Sequence, residues 1–162
     1  MESANTGVSA WRGDLSAEAA RVVHFFESID AAALGHIDRI YADDAWFKDP
    51  FNEVRGVADL RRIFLHMFDQ VDEPRFEVLT AVQQDMQAFL TWDFRFRMKR
   101  FDTRTRQTIR GASHLRFAPD GRITFHRDYW DAAEELYEKL PLLGALMRWL
   151  KRQAAQEPAR RA

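Results

Sequence analysis

The residues best suited to chemistry lie in one short stretch, from Gly121 to Asp131. A Pro119-Asp120-Gly121 turn opens it, and the residues that follow are predicted to form a β-strand. On such a strand His126, Asp128 and Trp130 share one face. A histidine beside a carboxylate can hold or relay a proton, so this face is either the wall of a pocket or a solvated surface. The strand by itself leaves both readings open.

The composition argues against several other kinds of site. The chain has no cysteine, which excludes disulfides, thiolate catalysis and cysteine-ligated metal. Its five histidines show no His-x-His or His-x-x-x-His spacing, and its glycines are few and scattered rather than gathered in a phosphate-binding loop. Ser113 could join a Ser–His–Asp set, but it lies in no nucleophile-elbow motif. The sequence therefore predicts neither a metal nor a cofactor.

The bulk properties are those of an ordinary globular protein. The 162 residues, 46% of them apolar and 30% charged, are enough for one domain with a proper core. A formal net charge of −1 favours neither a nucleic-acid partner nor an anionic membrane. No stretch is long enough to span a membrane, and the first residues do not resemble a signal peptide. We expect a cytoplasmic protein with a flexible leader (residues 1–15), a single domain (16–153) and a frayed basic tail (154–162).

The hydrophobic periodicity changes from helical to alternating near Pro74. The predicted helices follow Ser16 as N-cap, run from Leu34 to Tyr41, and span Val57–Val71. The predicted strands span residues 76–82, 88–99, 108–117 and 121–131. Asp131 is then placed to cap a further, C-terminal helix. This order predicts an α+β fold with helices packed on one face of a curved sheet.

Two segments of the chain resemble a known family. The first contains Phe25-Phe-Glu-Ser-Ile-Asp30, Ile40-Tyr-Ala-Asp-Asp-Ala-Trp-Phe-Lys-Asp-Pro50 and Gly56. The second is Phe117-Ala-Pro-Asp-Gly-Arg-Ile-Thr-Phe-His-Arg-Asp-Tyr-Trp-Asp131. In order and spacing they resemble nuclear transport factor 2-like proteins, and the second segment is similar to the final strand pair of the SnoaL-like branch. The resemblance covers residues 17–135.

The resemblance implies a cone-shaped, curved antiparallel or mixed sheet wrapped around about three N-terminal helices, with an additional C-terminal helix. It also implies a cavity at the wide end that takes a small apolar molecule. Such proteins are commonly homodimers through the outer face of the sheet. The same superfold carries isomerases, cyclases, epoxide hydrolases, dehydratases and non-catalytic binding proteins, so the resemblance points to a pocket rather than to one reaction.

Particular residues also follow from the resemblance. Ketosteroid isomerase relatives carry their general base in an Asp-Pro motif, which corresponds to Asp49 here, although an Asp before Pro is also an ordinary turn residue. The Tyr and protonated Asp that hold the enolate oxygen in those enzymes correspond to Phe26 (or Phe25) and Ser113. Because neither replacement supplies that charge stabilisation, we do not expect a true steroid isomerase.

The candidate site therefore consists of a catalytic set and a lining. The catalytic candidates are Asp49, His126 and Asp128. The ligand-binding candidates are Phe26, Phe47, Trp92, Phe94, Ser113 and Trp130. If the catalytic candidates meet in an apolar cavity, they could remove a proton next to a carbonyl, or protonate a leaving hydroxyl or a closing ring.

Two classes of function remain open. The first is a cofactor-independent isomerase, cyclase or hydratase/dehydratase that acts on a small apolar carbonyl or polycyclic compound. The alternative is a non-catalytic small-molecule-binding or protein-interaction module. Epoxide-hydrolase relatives need an Arg between two Asp. On a regular strand Arg127 points away from Asp128, so that Arg would have to come from elsewhere, for example Arg55 or Arg110. The leucine-rich helix expected after Pro141 is more typical of a core or dimer contact than of a membrane contact.

Overall fold

The computed structural model describes residues 11–100 and 103–135. The chain divides into two compact units, residues 1–130 and residues 131–162. The strands are β1 (Trp11–Arg12), β2 (Tyr41–Lys48), β3 (Glu53–Arg55), β4 (Val71–Gln84), β5 (Gln87–Met98), β6 (Arg106–Phe117) and β7 (Ile123–Tyr129). The helices are α1 (Ala17–Glu27), a 3-10 helix (Ala33–Arg39), α2 (Val57–Gln70) and α3 (Ala132–Glu135).

Helices α1 and α2 form where amphipathic stripes and end signals agree. The Ser16 side chain accepts a hydrogen bond from the amide of Ala19, so it is the N-cap that the sequence predicts for α1. The apolar face of α1 is buried, including Val22 and Phe26. Helix α2 begins after Gly56, whose φ of 107° is easily reached only by glycine. Both helices cover the same face of the sheet.

The second predicted helix is wrong in its last part. The chain from Leu34 towards Tyr41 forms a 3-10 helix that ends at Arg39, and Tyr41 is already the first residue of β2. The apolar positions before Tyr41 continue a helical spacing, which explains the prediction. Pairing of Tyr41 with Ile123 of β7 is a non-local contact that overrides this local pattern.

A seven-stranded mixed sheet forms the body of the first unit, in the order β1-β4-β5-β6-β7-β2-β3. The four consecutive strands β4, β5, β6 and β7 pair antiparallel with one another. At the two sides of this group, β1 pairs parallel with β4 and β2 pairs parallel with β7. Register shifts interrupt β4 against β5 and β2 against β7, and such irregularities bend strands. The predicted α+β fold, a curved mixed sheet packed around N-terminal helices, is confirmed.

The inner face of the sheet carries the core. In β5 the alternating residues Leu90, Trp92, Phe94 and Phe96 are all buried, as their period of two predicts. They pack in one cluster with Phe26 of α1 and with residues of α2. This layer of aromatic side chains surrounds the candidate site.

The predictions for the first and last segments of the chain can be compared with the structure only in part. Within the predicted leader, Trp11 and Arg12 pair with Thr80 and Ala81 of β4. In the second unit, Asp131 accepts a hydrogen bond from the amide of Glu134 at 3.1 Å, as the predicted N-cap should. The helix predicted after Pro141 and the predicted tail lie outside the described residues. Within residues 11–100 and 103–135, no helix combines the length and apolar character needed to cross a membrane.

Candidate functional site

His126 lies at the centre of the inner face, on β7, and only 2% of it is exposed. Its neighbour across the parallel ladder is Phe47 of β2, whose ring meets the imidazole edge to face at 5.0 Å. The ring of Phe26 approaches from α1 at 5.6 Å. A buried histidine needs partners for both ring nitrogens, because an unsatisfied polar atom in the interior is destabilising.

Both ring nitrogens of His126 have a partner. Nδ1 lies 2.7 Å from the hydroxyl oxygen of Tyr41, a residue that is itself fully buried. Nε2 lies 2.8 Å from Oδ1 of Asp128. The predicted His126–Asp128 pair on one face of the strand therefore faces the interior. The structure extends this pair by a tyrosine.

Ser113 approaches the same carboxylate from the neighbouring strand. Because Ser113 of β6 stands opposite Asp128 of β7, its hydroxyl donates to Oδ1 at 2.5 Å. The hydroxyl oxygen in turn accepts a hydrogen bond from Nε1 of Trp92 at 2.8 Å. Two groups, His126 and Ser113, thus meet at Oδ1. Among the described residues, Oδ2 of Asp128 has no hydrogen-bond partner.

A cavity opens against this wall. Its described lining is Phe26, Phe64, Phe76, Val78, Leu90, Trp92, Ser113 and Asp128. About 330 Å³ of empty space belongs to it, part of which is open to solvent. The enclosed part has room for roughly one or two water molecules. Six of the eight lining residues are apolar, so the cavity suits an apolar ligand with a polar group directed at Asp128.

A Ser–His–Asp nucleophile does not fit this geometry. In such a triad the base contacts the serine through one ring nitrogen and the aspartate through the other. Here Ser113 and Asp128 both lie on the Nε2 side of His126, at 3.4 and 2.8 Å, and Nδ1 belongs to Tyr41. The serine hydroxyl is directed at the carboxylate rather than prepared for attack.

Asp49 does not join the other two catalytic candidates. Its Oδ1 accepts hydrogen bonds from the amides of Phe51 and Asn52 at 2.7 and 2.6 Å, and both oxygens contact the side-chain amide of Asn52. Asp49 is not among the described residues that line the cavity. The expected meeting of three catalytic groups is therefore found only for His126 and Asp128. The reason is local: an Asp before Pro closes its own turn more readily than it reaches across a sheet.

The other predicted lining residues take three different places. Phe26, Trp92 and Ser113 line the cavity. Phe47 and Phe94 lie behind the cavity. Phe47 packs against His126, and the ring of Phe94 stacks on that of Phe76 with 4.3 Å between centroids. Trp130 lies at the end of the sheet, where its ring meets Phe51 edge to face at 5.3 Å.

Tyr41 is the member of this hydrogen-bonded series that sequence reasoning missed. Alternation along β2 does not reveal it, because a register shift lies between Tyr41 and Trp46, and Asp43, two residues after Tyr41, is exposed. Burial, and secondarily the negative charge of Asp128, raise the pKa of the Tyr41 hydroxyl well above its ordinary value. Tyr41 therefore keeps its proton and acts as a hydrogen-bond donor.

An epoxide-hydrolase arrangement is not found in the described part of the cavity. No arginine is among the lining residues that the structure describes. Arg127 lies on the opposite face of the sheet, with its guanidinium 4.7 Å from the ring of Tyr129. Arg55 forms an exposed ion pair with Asp44 at 3.7 Å, and Arg110 is exposed.

Gly111 determines how the Trp92 indole lies. The two residues are opposite each other on β5 and β6, and a Cβ at Gly111 would come within 2.4 Å of the indole ring. We expect Gly111→Ala to displace the indole, break its hydrogen bond to Ser113, and lower the free energy of unfolding by about 1–3 kcal/mol. Urea denaturation measures the loss, and the Trp92 Nε1–H resonance reports the hydrogen bond.

Gly35→Ala is the matched control for this substitution. A Cβ at Gly35 would meet no atom within 4 Å, so the free energy of unfolding should change by less than about 0.5 kcal/mol. An equal decrease in the free energy of unfolding for Gly111→Ala and Gly35→Ala would contradict the packing of the Trp92 indole on Gly111.

Comparisons with known proteins agree on the fold. The SnoaL-like domain family matches this chain over residues 22–126. Comparison with curated proteins found no match. A hypothetical protein from Catenulispora acidiphila DSM 44928 with a ketosteroid isomerase-like fold, solved in complex with trimethylamine, is similar with a TM-score of 0.63 and 14% identity, covering 76% of this chain and 92% of that chain.

Two further solved structures are similar to this chain. A candidate SnoaL-like polyketide cyclase from Shewanella putrefaciens CN-32 gives a TM-score of 0.63 at 14% identity, covering 76% of this chain and 98% of that chain. An LEH-like epoxide hydrolase from M. tuberculosis gives a TM-score of 0.60 at 18% identity, covering 85% of this chain and 96% of that chain. At such identities the likeness shows the shared fold, and the site must be argued from its own residues.

Proposed function

The chain belongs to the SnoaL-like domain family, and we propose that it is a cofactor-independent acid/base enzyme whose base is Asp128. In this proposal Asp128 removes a proton from a carbon atom next to a carbonyl. The electron pair of the broken C–H bond is delocalised into the carbonyl. The resulting carbanion then either takes a proton back at another carbon, which is an isomerisation, or attacks a second carbonyl, which closes a ring.

One observation carries this proposal: the two oxygens of Asp128 are used differently. Oδ1 is held by His126 and Ser113, whereas Oδ2 has no partner among the described residues, and Asp128 lines an apolar cavity. The Asp128 side chain is 18% exposed. A carboxylate fixed through one oxygen presents the other in a defined direction, which is what a general base requires.

The lining also limits the class of substrate. The polar hydrogens of Trp92 and Ser113 are already given to Ser113 and Asp128, so neither donor is directed at a ligand. Without such a donor, a developing enolate oxygen gains little stabilisation from the described part of the cavity. The substrate must therefore carry its own stabilisation. We propose a compact, apolar molecule whose reacting C–H lies between two carbonyls, or next to one that is conjugated.

The reaction can be tested with a simple member of this class. Ethyl benzoylacetate carries an acidic CH₂ group between two carbonyls and an apolar phenyl ring. We expect the protein to accelerate exchange of these protons for deuterium in D₂O above the buffer rate, as followed by NMR. A panel of such 1,3-dicarbonyl compounds that bind, with exchange at the buffer rate for every member, would contradict the proposal.

The alternative is a non-catalytic binding module of the same fold. The narrow enclosed space and the lack of a donor directed at the ligand favour this reading. It predicts that apolar carbonyl compounds raise the melting temperature without any exchange of their protons. Binding and exchange measured on the same compounds therefore separate the two functions.

The outer face of the sheet supports a second part of the proposal, a homodimer. Four rings form a continuous row across β5, β6, β7 and β2, which we call the outer aromatic row: Phe89, His114, Phe125 and Trp46. Phe89 is 51% exposed. Burial, and secondarily the charge of Arg116, lower the pKa of His114, so the row is uncharged at neutral pH. An exposed row of this kind is typical of an interface, and a second copy offers the same row in return.

We expect Phe89→Asp to give a monomer where the wild-type protein is a dimer, because it replaces the exposed ring at one end of the outer aromatic row by a charge. Light scattering coupled to size-exclusion chromatography measures the mass. Thr91→Asp is the matched control, since Thr91 lies on the same strand and face but outside the row, and it should stay dimeric. A monomeric wild-type protein, or an unchanged mass for Phe89→Asp, would contradict the dimer.

A further inference from the structure

The Tyr41 hydroxyl plays no direct part in the reaction proposed above, yet it is fully buried beside the site. Tyr41 is not among the described residues that line the cavity. Its ring lies nearly parallel to that of His126, at 13° and 5.9 Å between centroids, and its oxygen lies 2.7 Å from Nδ1. A buried hydroxyl in a fixed position beside an imidazole can decide where the imidazole carries its proton.

The direction of the hydrogen bonds follows from the available acceptors. The phenol keeps its proton, since burial and the charge of Asp128 oppose its ionisation. Among the described residues, Nδ1 of His126 is the sole side-chain partner of this hydroxyl. The hydroxyl therefore donates to Nδ1, and Nδ1 must hold a lone pair. In a neutral imidazole the proton then sits on Nε2.

We infer that Tyr41 is a positioning residue that fixes His126 in the Nε2–H form, so that His126 donates to Asp128. The position of the proton on His126 does not depend on the proposed function. Its consequence for catalysis does, because that consequence requires Asp128 to be the base. In the opposite form, with the proton on Nδ1, the N–H of His126 and the O–H of Tyr41 would meet in one hydrogen bond. This form would also turn the Nε2 lone pair towards the Asp128 carboxylate at 2.8 Å. In the arrangement seen, the Tyr41 hydroxyl, both ring nitrogens of His126 and Oδ1 of Asp128 each have a partner.

This assignment separates the roles of the two titratable groups. With Nδ1 occupied by Tyr41, His126 has no free lone pair in the neutral form and does not take the substrate proton. It holds Oδ1 of Asp128, together with Ser113. The carboxylate is then the group that receives the proton, through Oδ2. Tyr41 thus acts through His126 and not on the substrate.

Nitrogen NMR of the ligand-free, full-length protein tests the inference directly. In ¹⁵N-labelled protein the long-range ¹H–¹⁵N pattern of each histidine shows which ring nitrogen carries the proton, and His126→Asn identifies the His126 signals by their loss. We expect a protonated Nε2 and an unprotonated Nδ1 for His126 in the wild-type protein. A protonated Nδ1 at neutral pH would overturn the inference.

Tyr41→Phe removes the hydroxyl and keeps the ring. We expect the Nδ1 resonance of His126 to shift towards the protonated position, because Nδ1 no longer accepts a hydrogen bond from Tyr41 and the imidazole proton is no longer confined to Nε2. Tyr129→Phe is the matched control, because Tyr129 lies on the outer face and is 47% exposed. It should leave the His126 resonances unchanged.

An unchanged His126 pattern in Tyr41→Phe would overturn the inference. The wild-type measurement decides it independently if that variant does not fold. The outcome is also separate from that of the proposed function. The expected pattern together with no deuterium exchange in any substrate would contradict the base role of Asp128 and leave the role of Tyr41 standing.

Discussion

Asp128→Asn lowers the rate of deuterium exchange by about 10²–10⁴-fold, which is the usual contribution of a general base. The substitution is selective because Asn retains an Oδ1 that can accept from His126 and Ser113, as the carboxylate does. It replaces only Oδ2, the oxygen without a described partner, by an amide nitrogen that cannot take a proton. Loss of exchange with an unchanged melting temperature therefore reports chemistry rather than folding.

Asp49→Asn is the matched control for this prediction. The Asn side chain can still accept from the amides of Phe51 and Asn52, so the turn should persist. Because the Asp49 carboxylate is held in its own turn, we expect wild-type exchange rates. The reverse result, with exchange lost in Asp49→Asn and kept in Asp128→Asn, would make Asp49 the base and contradict the account.

Phe47→Ala lowers the free energy of unfolding by about 3–5 kcal/mol, the range found when a buried aromatic side chain is truncated in a core. Phe47 is 2% exposed, and its ring contacts both His126 and Phe64. The substitution leaves a cavity beside the imidazole that the surrounding strands cannot close. Urea denaturation with linear extrapolation measures the loss.

Phe51→Ala is the control of the same residue type, since Phe51 is 52% exposed. Its loss should stay within about 0.5 kcal/mol. The loss expected for Phe47→Ala is a large part of the stability of a small domain. Phe47→Leu therefore provides a milder variant, with a smaller effect in the same direction. Equal losses at positions 47 and 51 would contradict the packing described for Phe47.

Much of the fold could be predicted from the sequence because it depends on local patterns. The alternation of Leu90, Trp92 and Phe94 predicts both the strand and the face that is buried. Ser16 and Asp131 are both found as caps, since a cap is decided within four residues of chain. The pairing of β2 with β7 is non-local, and it moved Tyr41 from a predicted helix into a strand.

The candidate site was predictable in part, for a related reason. His126 and Asp128 were found because both lie on one strand, where spacing fixes their common face. Asp49 was chosen because of the motif that surrounds it, but the direction of its side chain is decided by the hydrogen bonds of its own turn. Tyr41 contributes through a contact 85 residues away in sequence, and no local pattern contains that contact.

A crystal structure of the wild-type protein with ethyl benzoylacetate would test the role of Asp128 most directly. Deuterium exchange is reversible and leaves the compound intact, so the active protein can be used. We expect the carbon between the two carbonyls to lie about 3–3.5 Å from Oδ2 of Asp128, in position for proton transfer. A molecule bound in the cavity with this carbon turned away from Oδ2, or bound outside the cavity, would contradict the account.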